Sequence, residues 1–190
     1  MKLLDLLDPS LPLPWGDVAV APDDRVEAEA ILLQDGAFAT ELVLPIGDGV
    51  QTCSAKLVEM VALRAHQIVV HVEGRRPTLH YVAAEVMGEI PVLVKTSDFV
   101  LRLNPDNRMS PAAVFAQLFL AWKDAEINRH TIVTLVRDTE IAPMTEADEA
   151  LALEAIDILV RAERLTRQAV SLRGEAVECM IQVHQKARPI

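Results

Sequence analysis

A heptad pattern in the last third of the chain constrains the fold more than any other feature. Apolar residues recur there at alternating spacings of four and three, at Leu151, Ala155, Ile158, Ala162, Leu165, Ala169 and Leu172. A period of 3.5 residues keeps one side of an α-helix facing one partner helix over its whole length. Alanine at every second position lets the two helix axes approach closely, while Leu and Ile fill the layers between. The sequence therefore predicts a long helix that packs against another helix.

Signals at both ends of this helix can be read from the sequence. Thr145 and Asp148 stand three residues apart, as in a capping box, in which each side chain bonds the backbone N–H of the other. The helix is therefore predicted to begin at Glu146 and to reach about Arg173. Gly174 then ends or interrupts it, because glycine costs about 1 kcal/mol in a helix interior. If the helix continues, three further residues extend the heptad pattern: Ala176, Cys179 and Val183.

We call the seven heptad residues from Leu151 to Leu172 the seam. Two partners compete for it: the chain's own helix, predicted at Pro111–Ile127, and the same helix of a second copy. At 1.5 Å per residue the seam spans about 32 Å, whereas the Pro111–Ile127 helix spans about 25 Å and cannot cover it alone. Twofold dimers are also the commonest oligomers. We therefore expect a homo-oligomer joined by the seam, with packing inside one chain as the alternative.

The charge of the chain argues against one large class of partner. The 190 residues carry a net charge of −10, so the chain is not expected to bind nucleic acid through its phosphates. Residues 161–190 are an exception, with six basic and three acidic residues. Arg161, Arg164 and Arg167 in this stretch leave a nucleic-acid-associated regulatory role as a further alternative.

Membrane and disulfide-rich classes are also disfavoured. No apolar run reaches the 18 residues that suggest a membrane-spanning helix, and the first residues lack a clear signal-peptide pattern. Two cysteines, Cys53 and Cys179, are too few for a disulfide framework or a four-cysteine zinc site. We therefore expect a cytoplasmic protein that does not associate with a membrane.

The chain divides into three predicted parts. Residues 1–25 contain several prolines, which cannot donate to a sheet, and they are predicted to form an extended arm that begins with a short helical turn. Residues 26–143 are predicted to form an α+β body. Residues 144–190 are predicted to form a long helical oligomerisation segment.

Turn signals within the body predict its strands. Asp35-Gly36 lies between the apolar runs Val26–Gln34 and Ala37–Ile46 and predicts a tight hairpin at the N-terminal end of the body. Thr131–Val136 is β-branched and predicts a further strand. Four short runs separated by turn residues predict an antiparallel meander: Ile68–Glu73, Thr78–Val86, Ile90–Thr96 and Asp98–Leu103.

Two serines mark predicted helix starts in the body. Ser54 is expected to cap a helix over Ala55–His66, and Ser110-Pro111 is expected to open a helix that ends near Asn128. The resulting order of helix, strands, helix, strand and helix covers about residues 53–173. With its acidic charge, it resembles the small dimeric secretion chaperones and related peptide-binding α/β folds in architecture and composition. The resemblance implies a dimer that binds peptide segments.

Two histidines and a glutamate form a candidate metal site in the meander. If Glu73 pairs with Thr78 across the turn, His71 lies directly opposite His80, with about 5 Å between their Cβ atoms. The other face of this strand pair is apolar and predicts the core, so the three side chains would share the outer face. Two imidazoles and a carboxylate suit zinc or iron. The predicted ligands are His71, His80 and Glu73, and the alternative is a polar outer face without a metal.

No coherent set of catalytic residues accompanies these features. The strong assembly pattern and the acidic surface favour a non-catalytic protein-interaction module, an adaptor or chaperone-like dimer with a protein partner. A metal-binding protein or metal-dependent enzyme that uses the histidine pair is the alternative.

Overall fold

The computed structural model describes residues 1–9, 26–44, 47–73, 75–84, 87–94, 98–126 and 131–186. Most of the predicted arm at residues 1–25 lies outside these ranges, and Leu3–Leu6 within it form a 3₁₀ turn. The strands are β1 (Glu27–Leu33), β2 (Gly47–Ser54), β3 (Ile68–Glu73), β4 (Arg76–Tyr81), β5 (Val92–Leu93) and β6 (Phe99–Leu101). The α-helices are α1 (Ala55–Val61), α2 (Pro111–Ala121), α3 (Ile132–Asp138) and α4 (Glu146–Lys186). The predicted α+β class is confirmed.

The strands form two three-stranded sheets. In the first sheet β1 lies between β2 and β5, antiparallel to β2 and parallel to β5. In the second sheet β3 lies between β4 and β6 and is antiparallel to both. The predicted four-strand meander is therefore wrong, because β5 pairs with Ile31 and Leu32 of β1. A short apolar run does not specify its partner strand locally, since strand preference depends on packing.

The predicted tight hairpin at Asp35-Gly36 is also wrong. Asp35–Phe38 form a 3₁₀ turn, and the antiparallel partner of β1 is β2. The segment between β1 and β2 bonds instead to the end of β4, where Val43 N–H donates to the Tyr81 carbonyl and Tyr81 N–H donates to the Glu41 carbonyl. Backbone bonding to the second sheet therefore outweighs the local turn preference.

β3 is the central strand of the molecule, because both of its faces are buried. Ile68 and Val70 lie in a core that includes residues of α2, α3 and the first half of α4. Val69 lies on the opposite face, in a second core with residues of β1, α1 and β5. The face predicted to be apolar is confirmed as core, whereas the face predicted to be outer and polar is buried as well. A strand buried on both faces reads as a continuous apolar run, as Ile68 to Val70 does.

Two helix starts follow the sequence prediction. At the start of α1, Ser54 Oγ accepts a hydrogen bond from Leu57 N–H at 3.5 Å. At the start of α2, Ser110 Oγ accepts one from Ala113 N–H at 3.2 Å. Both helices are shorter than predicted. Helix starts are more predictable than helix ends here because the cap is a local contact of one side chain.

The predicted strand at Thr131–Val136 is wrong, because this segment forms α3. Ile132 and Val136 stand four residues apart and are both buried, and α3 packs against the 3₁₀ turn at Leu3–Leu6. A buried stripe at this spacing stabilises a helix despite the preference of β-branched residues for strands. The order of elements that resembles the secretion chaperones therefore lacks its predicted strand between α2 and α4.

α4 is a helix of 41 residues, about 60 Å long at 1.5 Å per residue. Its predicted capping box is present, since Asp148 N–H donates to Thr145 Oγ1 and Thr145 N–H donates to the Asp148 carboxylate. The helix continues through Gly174 to Lys186, past its predicted end near Arg173. None of the helices in the described ranges is both long and apolar enough to cross a bilayer.

Gly174 offers a test of this continuous helix. A Cβ atom at Gly174 would meet nothing within 4 Å, so Gly174→Ala should stabilise the surrounding helix by about 1 kcal/mol through helix propensity alone. Amide hydrogen exchange in residues 170–180 should slow about fivefold, since 1 kcal/mol changes an equilibrium by about that factor. Gly88→Ala is the control, because Gly88 also has open space around it but lies outside the helices. Equal exchange in the parent and Gly174→Ala would contradict a continuous helix.

Candidate functional site

The first half of α4 packs on the body of the protein. Ala152 and Ile156 are buried in the core with α2, and Leu159 packs against that core. The Glu149 carboxylate accepts a hydrogen bond of 3.4 Å from Ser110 N–H, at the start of α2. These contacts fix the direction of α4 relative to the body.

The seam lies on a different face of α4. In the first half of α4, each of the first three seam residues precedes an inward-facing residue by one position, as Leu151 precedes Ala152. Since consecutive helical residues are about 100° apart, the seam is turned away from the body. The exposed fractions of its large residues are 63% for Leu151, 57% for Ile158, 62% for Leu165 and 64% for Leu172. The alternative in which the seam packs on the chain's own α2 is therefore wrong.

Beyond the body, α4 continues without cover from the other residues that the structure describes. Every residue from 164 to 182, which we call the distal half, is exposed. Its large apolar side chains are Leu165, Val170, Leu172, Val177, Met180 and Ile181. A lone helix of this length is only marginally stable in water, and a run of exposed apolar residues indicates an interaction surface. The seam and the distal half are therefore the main candidate functional site.

Part of this surface was missed by the sequence analysis. Val170, Val177 and Ile181 are exposed but lie off the heptad positions. Their spacing of seven and four residues is itself a helical signal, and it would have indicated a second apolar stripe on the distal half.

The candidate metal ligands lie in a register different from the predicted one. His71 pairs with Thr78, and His80 pairs with Val69, because Glu73 and Arg76 are joined by two residues rather than by the predicted four. Two-residue connections are the commonest in hairpins. The histidines are diagonal neighbours on one face, with ring centres 6.4 Å apart. The third predicted ligand, the side chain of Glu73, lies outside the described part of the chain.

His71 is held by partners from two other segments. Its Nδ1 lies 2.8 Å from Oδ1 of Asp98, whose exposed fraction is 0%. The Phe38 ring stacks on the imidazole, with ring centres 4.5 Å apart and planes 16° apart. A buried imidazole needs an internal hydrogen bond, and Asp98 supplies it from the start of β6. Sequence spacing gave no signal for either partner, since both contacts depend on tertiary packing.

His80 is satisfied at both ring nitrogens. Its Nδ1 lies 2.5 Å from the Thr40 carbonyl, which can only accept, so this nitrogen carries the proton. Its Nε2 lies 2.8 Å from Thr78 Oγ1 and accepts a hydrogen bond from that hydroxyl. Burial, which disfavours the charged ring, lowers the pKa of His80 from 6.5 to about 4, and nearby His71 adds to this effect while the Thr40 carbonyl opposes it. The ring is therefore neutral at neutral pH.

A cavity of about 300 Å³ opens beside Thr78 and His80, with Phe119, Trp122 and Lys123 in its wall. The hydroxyl, the imidazole and the carbonyl are arranged as in an activated nucleophile with an oriented base. A general base works best when its pKa is near the working pH, however, and a pKa of about 4 makes His80 a poor proton acceptor. The contacts serve instead to hold β4 against the segment at Thr40.

The geometry gives the zinc or iron hypothesis no support. Within the described ranges, no group of three or more His, Cys, Asp or Glu side chains is placed to hold a metal ion. Both ring nitrogens of His80 have protein partners, and His71 uses its Nδ1 for Asp98. These hydrogen bonds explain the two histidines as internal polar groups of a buried sheet face.

The lowered pKa of His80 predicts how the stability of the fold depends on pH. Between the unfolded pKa of 6.5 and the folded pKa of about 4, the unfolded chain binds more protons at this site. The free energy of unfolding should therefore fall as the pH drops through this window, by about 3 kcal/mol from His80. His80→Gln retains a donor and an acceptor but does not titrate, so it should remove this share of the slope in urea unfolding between pH 4 and 7.

A second histidine provides the control for this experiment. His66 is exposed and has a φ of 66°, a conformation that Asn tolerates well. His66→Asn removes an exposed histidine and is the comparison for His80→Gln in the same urea unfolding series. Identical slopes in the parent and His80→Gln would contradict the assignment of His80 as a buried neutral ring.

No model of a known protein family matches this sequence, and no curated protein matches it either. Among the surfaces of the described residues, the exposed seam of α4 is the most distinctive.

Proposed function

We propose that this chain is a non-catalytic protein-interaction module of the cytoplasm, an adaptor or chaperone-like protein that works as a homodimer. The observation that carries the proposal is the seam, whose four large side chains are all more than half exposed on one face of α4. Knobs-into-holes packing needs a heptad pattern on both helices. A second copy of the chain supplies that pattern.

The seam offers a large apolar surface for a second copy to bury. Full burial of a Leu or Ile side chain stabilises a structure by about 1.5–3 kcal/mol. Two seams together contribute eight such side chains, which are now largely exposed to water. Their burial is worth on the order of 10 kcal/mol, which is comparable with the entropic cost of about 4–15 kcal/mol for association. The alanines between them add close backbone packing.

An adaptor also needs a place for its partner, and β2 provides one. β2 is an edge strand of the first sheet, and Val50, Gln51 and Thr52 in its middle are exposed. An edge strand presents backbone N–H and C=O groups to which an extended segment of another protein adds as a further strand. In the proposed dimer, α4 joins the copies and the β2 edge of each copy receives such a segment.

The assembly role of the seam predicts a change of mass. Ile158→Asp combined with Leu165→Asp places two charges in the middle of the seam, and a buried unpaired charge is strongly unfavourable. In sedimentation equilibrium at micromolar concentration, the parent should behave as a dimer of 20.9 kDa chains and the double variant as a monomer. Circular dichroism should show that the body of the variant stays folded, since neither residue packs on it.

The matched control is Leu120→Asp combined with Leu153→Asp. These residues lie outside both the seam and the distal half, one on α2 and one on α4, and are 75% and 50% exposed. The control should remain a dimer because the seam is intact. A monomeric parent, or a folded seam variant that stays dimeric, would overturn the proposal.

A further inference from the structure

We propose that the second copy of α4 runs antiparallel to the first, with Ala162 of one copy packed against Leu165 of the other. This inference rests on the homodimer proposed above and adds its direction and register. The helix continues through Gly174, so Ala176 joins the seam as its next position. In the proposed register the extended seams overlap completely. The facing pairs are Leu151 with Ala176, Ala155 with Leu172, Ile158 with Ala169, and Ala162 with Leu165.

The alternation of large and small residues favours this register. Every layer of the antiparallel pair combines one Leu or Ile with one Ala, so the volume between the helices is even along the interface. In a parallel pair in register each residue meets its own copy, and Leu–Leu layers alternate with Ala–Ala layers. The large layers would hold the axes apart, and the alanine layers would then leave cavities, which are costly.

A staggered parallel pair does not avoid this problem. A shift of one helix by three or four residues also brings Leu against Ala. Such a pair is no longer related by a twofold axis, however, and its unmatched ends remain open to further copies. The antiparallel pair alone combines even layers with a closed twofold dimer.

The charges along α4 favour the same direction. Residues 146–163 carry six carboxylates and one arginine, whereas residues 164–186 carry three arginines and one lysine against two glutamates. The proposed pair is centred between residues 163 and 164, so it sets the acidic half of each helix beside the basic half of the other. A parallel pair sets the two acidic halves together. Complementary charge steers association and disfavours the wrong orientation.

Antiparallel pairing also gives the distal half of each α4 a fixed surface to pack on. The first half of α4 is fixed to the body through Ala152 and Ile156, whereas the distal half is not buried by any other described part of the chain. Antiparallel pairing lays each distal half along a half that the other body already holds in place. Parallel pairing would leave two unsupported halves to pack only on each other. The two bodies of the antiparallel dimer lie near opposite ends of the helix pair.

Native Cys179 reports the direction of pairing. It is exposed, and it occupies the next heptad position after Ala176. In a parallel pair the two Cys179 side chains meet and would form a disulfide on mild oxidation. In the proposed antiparallel pair they are about 46 Å apart along the helix axis. A Cys53→Ser chain, which retains Cys179 alone, should therefore give no disulfide-linked dimer.

A second pair of chains tests the register directly. Both carry Cys53→Ser and Cys179→Ser, one also carries Leu151→Cys, and the other carries Ala176→Cys. Oxidation of an equal mixture should link the two different chains and leave each chain alone unlinked, because position 151 faces position 176 across the dimer. Chains with Ile158→Asp and Leu165→Asp added are the control and should lose the link.

The outcomes separate the two proposals. A dimer whose Cys179 side chains link to each other, or whose Leu151→Cys chains link to themselves, overturns the antiparallel direction and leaves the proposed homodimer standing. A dimer in which the Leu151→Cys and Ala176→Cys chains do not link to each other overturns the register. A parent chain that sediments as a monomer overturns both the dimer and its direction.

Discussion

The burial of the β4-β3-β6 sheet on both faces is the constraint on which the rest of the structure depends. One face packs against α2, α3 and the first half of α4, and the other packs against β1, β5 and α1. Two histidines lie on the second face, so each imidazole needs an internal hydrogen bond. Asp98 supplies one and Thr40 supplies the other, which fixes the segments that carry them. The first face fixes α4, because Ala152 and Ile156 complete that core.

The parts of the fold that could be predicted from the sequence are those set by local contacts. The capped starts at Ser54, Ser110 and Thr145 each depend on one side chain within a turn of its partner. The predictions of a tight hairpin at Asp35-Gly36 and of a strand at Thr131–Val136 are wrong because contacts distant in sequence outweigh the local preferences. Their conformations are decided by β4 and by the N-terminal 3₁₀ turn, which are distant in sequence. The predicted strand pairing is wrong for a similar reason, because a two-residue strand such as β5 carries too little sequence pattern to select its partner.

The candidate site divides in the same way. The heptad pattern of α4 depends only on helical geometry, and the structure places all seven seam residues on one exposed face. The histidine pair was located on one face of the right strands, but its register depended on the length of a turn. The turn between β3 and β4 has two residues instead of the predicted four, so His71 lies opposite Thr78 and not opposite His80. Its partner Asp98 precedes β6, and no spacing rule connects β6 to β3 in the sequence.

The two halves of α4 differ in how far their folding depends on assembly, because different apolar faces stabilise them. The first half is stabilised by burial of Ala152 and Ile156 within its own chain, so its folding does not require a second copy. The distal half buries no side chain against the residues that the structure describes, and an isolated helix of its length gains little from propensity alone. Anything that binds the folded form of this half stabilises it by mass action. In the proposed dimer the helical order of the distal half therefore rises with protein concentration, while the body remains folded throughout.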